Sequence, residues 1–194
     1  GQTLTGLAAA ADPAFVYLLL DTAASGLPDL EDSVWFIGIS SYGGNTGDSR
    51  FPDVDAQIAG GRGFEHMVVL DGEKQQYRLL VDDLYDPSDK VNYNKGDSGV
   101  PYANDNGAYS LFQYMINNDE QYAGTDLGVT KQWYYPGKLR RGDVAENSLA
   151  HLETGPGGVL EIRLPWHALW VTDPSSRQVL FDDHDTLGWD SQST

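Results

Sequence analysis

Residues Val159–Ser176 read VLEIRLPWHALWVTDPSS, and this stretch decides the fold class. Leu160, Ile162 and Leu164 alternate with Glu161 and Arg163, the period-two pattern of a strand buried on one face. Pro165 ends it, because proline has no N–H to give a ladder. Trp166, Leu169 and Trp170 follow at three- and four-residue spacing. That spacing predicts one turn of helix laid over the end of a core. Thr172-Asp173-Pro174-Ser175-Ser176 then carries turn chemistry.

Outward from this segment the chain alternates short apolar runs with loops. Phe15–Leu20, Ser33–Ser40, Phe64–Leu70, Gln76–Val81 and Tyr109–Asn117 read as strands, and Gln178–Phe181 as a last short one. Asp71-Gly72 is a hairpin-type turn, and Gly155–Gly158 turns the chain into the decisive strand. Gly1–Ala11 reads as a loose lead-in, and Asn118–Asn147 as irregular. Asp21–Asp32, the glycine-rich Ser41–Asp53 and the long polar Asp82–Asn106 read as loops. No segment has the pattern of a three-turn helix. The expected fold is therefore all-β, an antiparallel, jelly-roll-like β-sandwich with long functional loops, and residues 1–194 are read as one such domain excised from a larger protein.

Composition narrows the function. The net charge of −17 repels nucleic acid, whose phosphates need clustered Lys and Arg. No apolar run approaches the roughly 18 residues of a membrane span. The chain has no cysteine, so disulfides, zinc–thiolate sites, iron–sulfur clusters and thiol catalysis are excluded. The hydrophobic share of 40% is that of a chain with a packed core.

Several pieces then converge on a family. A strand ending at Asp21 leads into an acidic loop and a second strand. A Gly43-Gly44 loop and a strand start at Gly63-Phe64-Glu65 come next, and the Leu160–Trp166 strand-and-turn lies near the end. This order resembles the family 9 carbohydrate-binding modules and the broader DOMON-like β-sandwiches over roughly Ala14 to Val171. The resemblance implies a module attached to an enzyme or cell-surface protein, with structural calcium in several members. The chain departs from the pattern at Ile39-Ser40-Ser41, where the family usually has an acidic residue, and in the length of Asp82–Asn106. The family's sugar-clamping tryptophans are not assigned by motif. These departures bear on the ligand more than on the fold.

Sugar binding needs flat apolar faces with polar groups around them. Trp133, Tyr134 and Tyr135, in a loop, are the candidate platform, with Tyr42 from the glycine loop and Tyr85, Tyr93 and Tyr102 from the long insert as additions. Trp35, Trp166 and Trp170 are read as core aromatics. Calcium wants six to eight oxygens. Asp21, Asp29, Glu31 and Asp32 are the first candidate set; Asp48, Asp53 and Asp55 offer a second, and Asp82, Asp83, Asp86 and Asp89 a third. His66, His151, His167 and His184 are scattered and read as structural, with His184, among Asp182, Asp183 and Asp185, the best metal candidate of the four. No nucleophile elbow or selected carboxylate pair is present, so no catalytic residue is assigned.

The expected function is non-catalytic binding of a polysaccharide or oligosaccharide, with calcium as a possible staple. The host would be a secreted, periplasmic or surface protein with neighbouring domains. The alternatives are an interaction β-sandwich that positions a neighbouring catalytic domain, and a small glycan-active enzyme.

Overall fold

A computed structural model describes residues 3–22, 30, 32–42, 46–60, 63–85, 103–104, 106–117, 120–121, 125, 128–130, 132–141, 150–181 and 190–193. In chain order the strands are β1 (Leu4–Ala11), β2 (Phe15–Thr22), β3 (Val34–Ile39), β4 (Gly47–Asp48), β5 (His66–Asp71), β6 (Gln76–Asp82), β7 (Ala103–Asn104), β8 (Tyr109–Leu111), β9 (Tyr114–Asn117), β10 (Glu120–Gln121), β11 (Gly128–Val129), β12 (Gln132–Tyr134), β13 (Arg140–Arg141), β14 (His151–Gly155), β15 (Val159–Pro165), β16 (Val171–Asp173), β17 (Gln178–Phe181) and β18 (Asp190–Ser193). Two short 3₁₀ turns, Asp83–Tyr85 and Trp166–Leu169, are the helical elements among the described residues. No helix there is long and apolar enough to cross a membrane.

The fold is an all-β sandwich. One sheet has the order β1-β2-β15-β14-β13, the other β3-β5-β6-β8. Neighbours are antiparallel except β13 and β14. The decisive strand behaves as its sequence dictates. Leu160, Ile162 and Leu164 are fully buried and lie opposite Leu20, Leu18 and Val16 of β2. Glu161 and Arg163, on the other face, pair with Leu19 and Tyr17. The inner face of the first sheet meets Val68, Leu70, Tyr77 and Leu79 of the second to form the main core. Trp35, Trp166 and Trp170 pack against that core, and Trp166 sits in the expected helical turn.

The second sheet is covered on both faces, so all six residues of β5 are buried. Its outer face carries Met67, Val69 and Leu80, packed under Phe36, Phe51, Phe64 and Tyr109. Gly38 makes this possible: a Cβ there would lie 2.5 Å from the Phe64 ring.

Three readings of the sequence change. Residues 4–11 are not a loose lead-in but an edge strand in register with β2. The Asp12 carboxylate fixes the intervening turn by accepting from the Ala14 and Phe15 amides, each at 2.7 Å. Tyr109–Asn117 is two strands, because Phe112 turns into the main core and ends β8. The irregular stretch 118–147 contains short ladders, among them β12 paired with β9.

Where β8 stops, another segment takes its place beside β6. Leu79 N donates to Gly137 O at 2.7 Å, Leu139 N to Tyr77 O at 2.9 Å, and Gly137 N to Phe112 O at 3.0 Å. The same segment continues into β13 and so joins the opposite sheet. Gly137 is required by close approach: a Cβ there would lie 2.6 Å from Leu79 O and 2.7 Å from Phe112 O, both backbone atoms. Gly137→Ala is therefore expected to destabilise the fold by about 1–3 kcal/mol in urea unfolding. Gly155→Ala, whose added Cβ finds only ordinary contacts at 3.7 Å or more, should change stability by less than about 1 kcal/mol.

Candidate functional site

The chain's departure at Phe112 opens a recess between the start of β9, the 3₁₀ turn and the β16–β17 hairpin. Trp170 ends the turn in the left-handed conformation (φ 59°). Its carbonyl accepts from Leu180 N at 2.7 Å, which pulls β17 alongside. The resulting cleft holds about 580 Å³ and is lined by Phe112, Tyr114, His167, Trp170, Val171, Thr172 and Leu180.

Its aromatic groups form a continuous edge-to-face series. Trp170 meets Phe112 at 5.6 Å and 79°, Phe112 meets Tyr114 at 6.4 Å and 70°, and Tyr114 meets Tyr134 at 5.2 Å and 65°. Such geometry is the one aromatic pairs favour. Tyr114 remains 42% exposed at the rim. The polar complement is His167, Thr172 and the Tyr114 hydroxyl. Partial burial lowers the His167 pKa from 6.5, so the imidazole is neutral at neutral pH and can both donate and accept. Desolvation raises the Tyr114 phenol above its ordinary 10.0, and the hydroxyl keeps its proton.

None of Trp133, Tyr134, Tyr135 and Tyr42 is among the residues that line this cleft, and Tyr93, Tyr102 and His184 lie outside the described residues. Tyr134 stands at its rim against Tyr114. Trp133 lies on the opposite side of β12, half-buried and paired with Met115. Tyr135 is 42% exposed, with the Lys138 ammonium 4.5 Å from its ring centroid. Tyr42 is behind the wall and buried, with its hydroxyl donating to Leu180 O at 2.5 Å and its ring against Tyr85. It holds a cleft residue in place and presents no face to a ligand. Sequence reasoning did not find Tyr114, His167 or Trp170. Trp170 read as core, which is half of what it does. The signal for Tyr114 was its place two residues beyond the break at Phe112, in a run that read as one strand.

Of the acidic set, Asp21 and Asp32 are exposed, while Asp29 and Glu31 lie outside the described residues. Among the described residues no group of three or more acidic or histidine side chains is arranged to hold a metal ion. The structure instead unites carboxylates that are far apart in sequence. Asp48, Glu65 and Asp82 are all fully buried at one end of the second sheet's outer face. Asp48 accepts from the amides of Arg50, Asn106 and Gly107. Glu65 accepts from Ser41 N at 2.8 Å and from the Thr46 hydroxyl. Asp82 accepts from Leu84 N at 3.0 Å. Desolvation raises the Glu65 pKa and, joined by the charges of Asp48, Asp83 and Glu65, pushes Asp82 up to about 8. The nearby Tyr109 phenol is raised as well, by burial first and then by Asp82, Asp48 and Glu65. His66, buried on the other face of the same strand, is held neutral by desolvation, its pKa lowered to about 3.

No family model, curated protein or solved structure matches the chain.

Asp82 sets a pH dependence. Its carboxyl keeps its proton in the native state up to about pH 8, whereas in the unfolded chain it ionises near its ordinary 3.8. Its contribution to stability is thus complete below about pH 4 and is lost as pH rises through about 8. Asp82→Asn keeps the acceptor for Leu84 N and removes the ionisation. In urea unfolding the variant should lose part of the wild-type decline between about pH 5 and pH 8 and be the more stable protein at the upper end. An unchanged slope would mean that Asp82 is ionised in the fold.

Proposed function

We propose that this domain is a non-catalytic carbohydrate-binding module acting outside the cytoplasm as part of a larger protein. The observation that carries the reading is the cleft in which Tyr114 and Trp170, in ring contact with Phe112 and Tyr134, border a largely apolar volume with a few polar groups. A sugar ring offers an apolar C–H face and a hydroxyl rim, and aromatic side chains with convergent polar groups match both. The resemblance to family 9 and DOMON-like sandwiches, read from the order of short motifs between Ala14 and Val171, adds support. Calcium enters the proposal from the acidic loop alone, with Asp21 and Asp32 as its described candidates.

One observation favours a second reading, an interaction domain. The edge strand β1 carries no charge and no proline, and Leu4 and Leu7 are 47% and 62% exposed. Native sheets usually guard such edges.

Thermal melts against soluble neutral polysaccharides, with calcium and with EDTA, test both parts of the proposal. A ligand that binds only the folded state raises the midpoint by mass action. One glycan class should raise it, and Tyr114→Ala should weaken that glycan's affinity by about tenfold, or 1.4 kcal/mol, while leaving the unliganded midpoint within a few degrees. No shift with any glycan would move the assignment to the interaction domain. A midpoint unchanged by calcium or EDTA would remove the metal.

A further inference from the structure

We infer that a second recess, on the outer face of the four-stranded sheet between Arg78 and Lys138, binds the carboxylate of an acidic sugar. This rests on the carbohydrate reading for the sugar, and on the recess itself for the charge. The groove holds about 390 Å³ and lies along β6 where residues 137–139 replace β8. Arg78 and Lys138 face each other directly in that pairing. Like charges in opposed positions repel, so a counter-charge between them is favourable.

The protein supplies little of that counter-charge. Lys138 makes no ion pair among the described residues, and its ammonium rests over the Tyr135 ring. Among the described residues Arg78 reaches one carboxylate, the exposed Asp53, at 3.7 Å, beyond hydrogen-bond range. Its Nε is buried without an acceptor. Asp71, which also senses the Arg78 charge, is already held by the Lys74 side chain at 3.0 Å and by the Lys74 amide. Arg140, exposed two residues beyond Lys138, adds a further cation. In a molecule of net charge −17 with 12 basic residues, two cations set opposite each other are a local concentration of positive charge.

The surroundings suit a sugar. Gln76 is exposed in the lining and offers both donor and acceptor to hydroxyls, whereas the Gln75 amide is engaged by Gly72 O and the Tyr77 hydroxyl. Tyr135 stands beside Lys138 with part of its ring exposed. Tyr134 and Tyr135 thus touch different recesses through one lining residue each, Tyr134 through Tyr114 and Tyr135 through Lys138.

The test is isothermal titration of the protein with oligogalacturonate, with its methyl ester, which has the same backbone without the charge, and with polyglutamate. The acid should bind at least about tenfold more tightly than the ester, and the preference should shrink as salt is raised. Lys138→Gln, at an exposed position, should abolish most of that preference with an unchanged melting midpoint, and Arg78→Gln should do the same. Equal binding of acid and ester, no binding of the acid, an unaffected Lys138→Gln variant, or equal binding of polyglutamate would each overturn the inference. A neutral oligosaccharide whose binding falls with Tyr114→Ala but not with Lys138→Gln would leave the aromatic cleft standing on its own.

Discussion

The segment from Gly137 to Arg141 is the strap on which the architecture depends. At one end its backbone lies between the carbonyls of Leu79 and Phe112, a position where no side chain fits. At the other it becomes β13 and pairs with β14 in the opposite sheet. Hydrogen bonds along five residues thus tie both halves of the sandwich together at one side. Leu139, between the two ends, is buried in the main core. Backbone groups removed from water need partners, and the Leu79 N–H and the Tyr77 carbonyl of β6 would lose theirs without the strap.

That substitution of one neighbour for another also creates the surface features. A strand that ran straight from Tyr109 to Asn117 would have filled the space beside β6 and kept Phe112 and Tyr114 in one ladder. The break sends Phe112 into the core and Tyr114 outward. It leaves a recess on each side of the junction, one bounded by Phe112 and the other by Leu111. The two recesses differ in chemistry because strand alternation puts neighbouring residues on opposite sides. One is aromatic and nearly uncharged; the other is cationic.

The acidic character of the chain divides in a similar way. Among the described residues most carboxylates are exposed and contribute a solvated surface, whereas Asp48, Glu65 and Asp82 are buried together. Their amide and hydroxyl partners come from several segments, so the cluster records how those segments meet. Sequence proximity grouped Asp48 with Asp53 and Asp55, and Asp82 with Asp83. The fold regroups them because β5 and β6 are adjacent and the chain around Asp48 crosses their outer face.

Periodicity was legible where one face of a strand meets the core. The alternation in β15, the apolar run of β2 and the hairpin at Asp71-Gly72 each carry their own burial pattern, and the Pro165–Trp170 turn is dictated by proline chemistry and residue spacing. These local rules determined the fold class. The sequence also determined the net charge and the absence of thiol chemistry. Tertiary structure alone decided that a run of alanines at the amino end would form an edge strand, because pairing with β2, not propensity, holds it. It alone decided that Tyr42 would turn inward and Tyr114 outward, since each depends on what packs above it. The two recesses and the buried carboxylates belong to the same class: they join residues tens of positions apart, and such contacts have no local signature.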